Sequence, residues 1–237
     1  MTPEEISRKT RRGFTAAALS AAAGFAGFEW LRRSGLDDGI PAPLRKTLHA
    51  NEGLARTYFS DRRRAKEFAS SLAGEPKPNG SAGLETDLDF NSWRLHVDGL
   101  AELNLDDIRR LPKAEMVTEL HCIEGWSQIV HWGGARFADF AKKYSADKTS
   151  FAYVSLATPD EEYYVSLDRA SAMHPQTLLC YEMNRSPLTS EHGAPLRLVI
   201  PVKYGIKNLK RIGTIRYSNQ RPADYWAERG YDWYAGL

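Results

Sequence analysis

A thiol, a carboxylate, an indole and a hydroxyl fall within one short run, Cys122-Ile123-Glu124-Gly125-Trp126-Ser127, directly after a strand expected at 115–120. A thiol at a strand end beside glycine projects into a cleft, and its thiolate is a soft metal ligand. Buried packing is the commoner use of a lone cysteine, so this run needs a second cluster to support it. That cluster is His192-Gly193-Ala194-Pro195-Leu196-Arg197, which leads through Pro201 into Lys203-Tyr204-Gly205-Ile206-Lys207-Asn208-Leu209-Lys210-Arg211. Five cations within fifteen residues, on a glycine-containing loop between two apolar strands, suit an anionic ligand such as a phosphate. For Lys207 and Lys210 alone, three positions apart, a solvated face is the plainer reading.

The elements that must position these groups can be read from periodicity. Trp93, Leu95 and Val97 alternate with Arg94, His96 and Asp98 before Gly99, the pattern of a half-buried strand ending in a turn. Asn104 or Asp106 can cap a short helix that Pro112 stops. Further strands are expected at 115–120, 153–157, 163–166, 178–183, 196–200 and 214–217, with a helix at 137–144. Asp168 can cap another helix that ends near Met173, because His174-Pro175 disfavours continuation. Many short strands among short helices, without a βαβ rhythm, predict a mixed α+β domain over residues 91–237. Residues 34–90, rich in Pro, Gly and charge, read as an extended arm with a short helical patch around Leu44 to Phe59.

The chain has 237 residues, 42% of them hydrophobic and 26% charged, which excludes a disordered or disulfide-stapled class. Six of its 32 Lys and Arg residues, but only three of its 30 Asp and Glu residues, lie in the first 33 positions. The remaining 26 basic and 27 acidic side chains leave the body near −1, without the basicity of a nucleic-acid binder. Residues 1–33 are a leader or an anchor. Thr10-Arg11-Arg12-Gly13-Phe14 resembles the twin-arginine export signal, and the apolar stretch Gly13 to Leu31 would span ~28 Å as a helix, close to a bilayer core. A periplasmic or exported location follows, with inner-membrane anchoring if the leader stays attached. In an oxidising compartment the two cysteines, Cys122 and Cys180, are free to pair. Cys180, in the apolar run Leu178-Leu179-Cys180-Tyr181, reads as a small core residue.

Taken together, the Cys122–Ser127 run, the Gly193–Leu198 stretch and the Pro201–Lys207 stretch resemble the molybdopterin-dependent oxidoreductases of the sulfite-oxidase fold. Within that family the pattern is most similar to the catalytic subunits of periplasmic methionine-sulfoxide reductases. The resemblance implies a molybdenum-molybdopterin cofactor, with Cys122 as the thiolate ligand of the metal. It further implies cofactor contacts at Thr158, Arg197, Asn208, Leu209 and Lys210, and N-terminal contacts at Asn51, Leu54 and Ala55. His192 stands where those reductases carry Asn; an imidazole still hydrogen-bonds a cofactor, with a charge that varies with pH. The cofactor would supply oxygen-atom transfer to or from a small-molecule oxo-acceptor or oxo-donor, while Arg197 and Lys210 neutralise its anionic end.

Glu124 and Trp126 occupy the neighbourhood where true sulfite oxidases place an Arg. A carboxylate and an indole suit a neutral S- or N-oxide better than sulfite, so reduction is the expected direction and a sulfite-type oxidation the alternative. Whether these two side chains touch substrate, or instead pack on the pterin and pair with a cation, is left open by the sequence. His121 and His131 are candidate proton donors, with structural roles as the alternative. A Cys-x-x-Cys-His haem site and a cysteine run for iron–sulfur clusters are both missing from the sequence, so electrons must come from a separate membrane redox partner, such as a haem protein. The aromatic C-terminal residues Trp226, Tyr231, Trp233 and Tyr234 invite a rival class, a non-catalytic docking module, although core capping is their commoner use.

Overall fold

The computed structural model describes residues 2–37, 39–97, 99–144 and 151–237. Helix α1 (Pro3–Arg33) opens with a reciprocal capping box between Thr2 and Glu5, and Arg32 and Arg33 pair with Glu29 in its last turns. None of its residues is buried, and it is long and apolar enough to cross a membrane. A two-residue hairpin, β1 (Leu36–Asp37) and β2 (Ile40–Pro41), leads into α2 (Ala42–Tyr58), whose Pro43 sits in the first turn where a missing N–H costs nothing. The segment after α2 runs along the open side of a sheet. Phe68 N donates to Val117 O, Glu67 bridges to Thr118, and Gly74 N donates to Ile129 O. These contacts cover backbone groups that an edge strand would otherwise expose.

The rest of the chain forms two five-stranded sheets. β3 (Leu95–Val97) and β4 (Ala101–Leu103) make an antiparallel pair; Asp98, the expected last polar position of β3, lies outside the described residues. Asn104 caps α3 (Leu105–Arg109) through a box with Asp107. β5 (Lys113–His121) and β6 (Ser127–Arg136) form a long antiparallel hairpin, followed by α4 (Phe137–Tyr144). Then come β7 (Tyr153–Ala157), β8 (Tyr164–Asp168), the Asp168-capped α5 (Arg169–Ala172), β9 (Leu178–Met183), β10 (Ser186–Pro187), β11 (Arg197–Val199) and β12 (Thr214–Ser218). One sheet has the order β10-β9-β6-β5, with β11 also paired to β9; the other has the order β4-β3-β12-β7-β8. Only β12 and β3 run parallel among the described pairs, as expected for an α+β domain without βαβ units.

Alternation along β9 explains how one strand serves two cores. Leu179 and Tyr181 join the large cluster that contains α4's Phe137 and Phe140 and the second sheet's Leu95, Leu156, Val165 and Ile215. Leu178 and Cys180 face the other way into a smaller cluster with Val130 and Trp132, which Met183 also joins beyond the register shift opposite Gly133 and Gly134. A strand buried on both faces reads as a continuous apolar run, which is what 178–183 shows. Cys180 is a free thiol, fully buried and donating to Glu182 O at 3.0 Å, and burial pushes its pKa up to about 11. Its expected role as a core residue is what the structure shows.

β6 goes beyond the sequence expectations, which place no strand at 127–136. Its Gly133-Gly134 pair breaks the alternating pattern, and the register with β9 shifts between those two residues. A Cβ on Gly134 would lie 2.2 Å from Leu179 O and 2.7 Å from Cys180 Cα, so glycine there is what lets β9 approach.

Candidate active site

Cys122 sits in the turn between β5 and β6. Its N–H donates to Trp126 O at 2.9 Å, its carbonyl accepts from Gly125 N at 3.1 Å, and Gly125 adopts φ +90. That left-handed conformation is open to glycine and strained for other residues, so the Cys-x-x-Gly-Trp order fixes a tight turn. The thiol is free and half-buried, with Asn79 Nδ2 at 3.5 Å from Sγ. It opens onto a cavity of about 320 Å³. The same cavity is lined by Glu124, Trp126, His192, Arg197, Asn208 and Lys210. Segments far apart in sequence are therefore brought to one place.

The second cluster meets the first through close backbone packing. Gly193, at φ +94, lies where a Cβ would come within 2.8 Å of Lys210 Cα and Arg211 N, so the turn carrying His192 is pressed against the segment carrying Lys210. Arg197 opens β11 beside Cys180 of β9. Its guanidinium is buried, lies 5.0 Å from the Trp132 ring, and donates to His192 O at 3.0 Å and Asn208 O at 3.4 Å. Its Nε has no partner and no described carboxylate pairs with it. Burial lowers its pKa from 12.5 to about 10. Lys210 donates to the carbonyls of Asn79 and Gly80 at 2.9 and 3.2 Å; burial, reinforced by the charge of Arg197, pulls it down to about 8. His192 is 1% exposed, its Nε2 has no hydrogen-bond partner, and burial and then Arg197 lower its pKa. Glu75 Oε1 lies 3.4 Å from that Nε2, an ion pair only when the ring is protonated.

Other expected residues lie elsewhere. Asn51 and Leu54 are exposed on α2, and Ala55 lines a different cavity of about 560 Å³; a loose match in a polar helix carried no packing signal that could place them. Leu209 is a core residue with 0% exposure in the large cluster, and it is not among the residues lining the Cys122 cavity. Thr158 is buried, bonded to Asp160 and Tyr163 and packed under Gly83, and is not among the residues lining that cavity. Asn208 does line it, but its side chain is occupied, accepting from Ile200 N at 2.7 Å and donating to Tyr204 O at 3.3 Å. His121 faces the 560 Å³ cavity and His131 sits on β6 near Glu115 at 3.8 Å, so neither is placed to deliver a proton beside Cys122. The solvated-face reading of Lys207 is overturned: it is fully buried and paired with Asp224 at 2.5 Å.

The cavity wall also includes Asn79 and Tyr163, which no motif singles out, Gly205 of the Pro201–Lys207 stretch, and Trp226 and Tyr231, which the sequence offers only as a docking surface or core cap. Trp226 and Tyr231 meet edge to face at 5.1 Å, and Trp226 Nε1 donates to Tyr163 Oη at 3.0 Å. Burial raises the Tyr163 pKa, so this phenol stays protonated and donates a hydrogen bond to Ile206 O at 2.8 Å. Trp233 and Tyr234, by contrast, pack into a small cluster of their own, the core-capping use of aromatics.

This donor set fits a molybdopterin. A soft thiol faces the same space as two desolvated cations, and two buried polar nitrogens, Arg197 Nε and His192 Nε2, have no hydrogen-bond partner within the chain. Unpaired buried cations are costly unless an anion neutralises them, and a cofactor with a dithiolene at one end and a phosphate at the other supplies both partners.

Residues 82–226 match the family described as the oxidoreductase molybdopterin binding domain. Among curated relatives, the chain is 33% identical to a putative protein-methionine-sulfoxide reductase subunit, YedZ1, of Azospira oryzae, over 84% of this chain and 78% of the relative. It is 29% identical to a protein-methionine-sulfoxide reductase catalytic subunit of Ralstonia nicotianae, over 100% of this chain and 78% of that protein. Among solved structures, the sulfane dehydrogenase SoxCD of Paracoccus pantotrophus shares the fold, with a TM-score of 0.52 and 16% identity over 68% of this chain and 46% of that one. The match over 82–226, together with the thiol-and-cation cavity built from 122–126 and 192–210, places this chain in the molybdopterin-binding oxidoreductase family of sulfite-oxidase-like fold.

Proposed function

We propose that the protein reduces an S-oxide, with Cys122 Sγ as the protein's ligand to molybdenum and with Arg197, Lys210 and His192 holding the cofactor's anionic end. When bound, the molybdenum dithiolene supplies two-electron oxygen-atom chemistry, in which a sulfoxide, two electrons and two protons give a thioether and water. The chain's own part is positioning and electrostatics. The β5–β6 turn aims the thiol; Arg197 offers a planar fork and Lys210 a point charge to the phosphate; the aromatic wall of Trp126, Trp226 and Tyr231 excludes water around the reacting end. The observation that carries the cofactor placement is the buried Arg197, its Nε without a partner and no described carboxylate beside it, next to the half-buried Lys210 and an accessible thiol.

The substrate reading rests on the rest of the lining and on the relatives' names. Glu124 accepts from Trp126 Nε1 at 3.2 Å, and Glu124 and Lys77 offset each other among the exposed lining residues. Such an entrance attracts an oxyanion little and accepts a neutral oxide with an apolar body, which favours methionine sulfoxide over sulfite. The experiment is a pair of assays on molybdenum-loaded protein: oxidation of reduced methyl viologen by methionine sulfoxide, which is expected, and reduction of ferricyanide by sulfite, which would overturn the reading if it were the faster by an order of magnitude.

The same reading takes residues 1–33 as a twin-arginine-type leader or anchor, 34–90 as an arm and 91–237 as the catalytic domain. An apolar α1 with no buried residue supports export, with inner-membrane attachment where the helix is retained. The relatives named as subunits support a separate membrane redox protein as electron donor. Fractionation of the full chain and of an Arg11→Lys/Arg12→Lys variant tests export: the variant is expected to stay in the cytoplasm.

A further inference from the structure

Very little chain lies between α1 and the wall of the Cys122 cavity, and that chain is pinned. Gly35 O accepts from Ala42 N at 2.8 Å, and β1 and β2 pair within the loop so closed. The hairpin is pressed onto the turn at 227–230. A Cβ on Gly39 would lie 2.9 Å from Glu228 O, and one on Gly230 would lie 2.8 Å from Ile40 Cγ2. Arg45 of α2, 2% exposed, closes the junction, donating to Ala227 O at 2.8 Å and to Asp37 O and Tyr231 O at 3.4 Å each. Trp226 and Tyr231 flank that turn, Tyr231 N donating to Trp226 O at 3.0 Å, and both line the Cys122 cavity. The long apolar helix is thus fastened to one particular part of the domain, the rim of the thiol site.

The order of residues along α1 sets the level of that rim. Arg8, Lys9, Arg11 and Arg12 before the apolar stretch outnumber Arg32 and Arg33 after it, which keeps the N-terminal flank cytoplasmic and puts the folded domain on the other side. Trp30, 61% exposed, and the two arginines that follow mark the outer edge of the hydrocarbon core. Leu36 lies at most about 11 Å of extended chain beyond Arg33, and a headgroup layer is about 5–8 Å deep on each side of the core. Leu36 is 74% exposed, and the cavity-lining Ile123 and Tyr231 are 39% and 37% exposed, so the apolar groups near this junction face outward. An aliphatic side chain gains by leaving water for the interfacial layer, and a phenol sits there with its ring in the apolar part and its hydroxyl in the wet part. We propose that the β1–β2 hairpin and the rim of the Cys122 cavity, at Leu36, Ile123 and Tyr231, seat on the lipid surface of the membrane that α1 crosses. The seating rests on the reading of α1 as a retained anchor. A membrane redox protein then meets the rim by diffusing within the plane of the bilayer, without capture from solution.

The test is photochemical cross-linking to lipid. The full-length protein is reconstituted in vesicles of phosphatidylcholine with a minor share of phosphatidylglycerol, carrying p-benzoylphenylalanine in place of Leu36, Tyr231 or Leu100. Leu100 is the control: it is 49% exposed and precedes β4, at the edge of its sheet opposite β8. β8 is the edge that borders the junction, since Tyr225 N donates to Tyr164 O at 3.1 Å, so the control stands four strand spacings, about 19 Å, away. Lipid adducts are expected at Leu36 and Tyr231 in a yield roughly tenfold or more above that at Leu100. A thermal scan of each labelled protein checks its fold, and Ile123 serves as a second rim position if the Tyr231 replacement unfolds the chain. Flotation of the chain with the vesicles reads the anchor separately. A chain left in the soluble fraction refutes the anchor reading and the seating with it. A chain that floats but labels at the rim no better than at Leu100 overturns the seating alone, because the domain then hangs in water with its cavity turned elsewhere.

Discussion

Arg197→Met separates a residue kept for the fold from one kept for a ligand. The guanidinium is fully buried with no described carboxylate partner, and the fall in its pKa from 12.5 to about 10 corresponds to about 3 kcal/mol of disfavoured charge. Met keeps the volume and a favourable contact with Trp132. The carbonyls of His192 and Asn208 lose a donor each, at about 1 kcal/mol apiece. The balance predicts a cofactor-free variant about 1 kcal/mol more stable than the parent, raising its melting temperature by roughly 2–4 °C for a chain of this size. The cofactor-loaded form should move the other way: a charge-assisted bond to the phosphate is worth about 1.5–3 kcal/mol, so cofactor affinity should fall roughly ten- to hundredfold. Calorimetric scans of metal-free protein and elemental analysis of loaded protein measure the two arms. A metal-free variant destabilised by more than about 2 kcal/mol, or a loaded variant holding molybdenum at full stoichiometry, would refute the reasoning.

Three further outcomes follow from the packing and the charges. Lys207→Met strands Asp224 in the interior and should cost about 3–5 kcal/mol in urea unfolding, far more than an exposed lysine would. Gly134→Ala drives a methyl into the Leu179 carbonyl and should cost about 2–3 kcal/mol in urea unfolding. Lys210, held near 8 by burial and by Arg197, loses its charge as pH rises through that value, so sulfate binding to the metal-free protein should weaken between pH 7 and 9 in the parent and much less in Lys210→Arg. The stability sign is the opposite: the folded pKa lies below the ordinary 10.5, the unfolded chain binds the extra proton between the two values, and this residue's contribution improves as pH rises from about 8 to 10.5.

Local patterns were legible where one physical rule dominates. The helix at 137–144 and the strands at 153–157 and 178–183 have the bounds their periodicity predicts, because each buries a face of regular period. Asn104 and Asp168 cap the helices expected of them. The Cys122 turn was legible from Gly125, and the family from three short runs. What escaped was set by contacts between distant segments. β6 was hidden by a Gly-Gly pair that exists for the sake of β9. Lys207 looked solvated because nothing local reveals Asp224, seventeen positions away. The cavity's far wall comes from Asn79, Tyr163, Trp226 and Tyr231, remote in the chain and without a shared motif. Asn51, Leu54 and Ala55 were expected on resemblance alone, and their helix places them away from the Cys122 cavity.

The most direct measurement is X-ray absorption at the molybdenum edge of purified, cofactor-loaded protein beside its Cys122→Ser variant reconstituted with the same cofactor. If the β5–β6 turn supplies a thiolate to the metal, the parent shows one more sulfur neighbour than the variant. An unchanged sulfur count in a variant that still carries molybdenum would contradict the account.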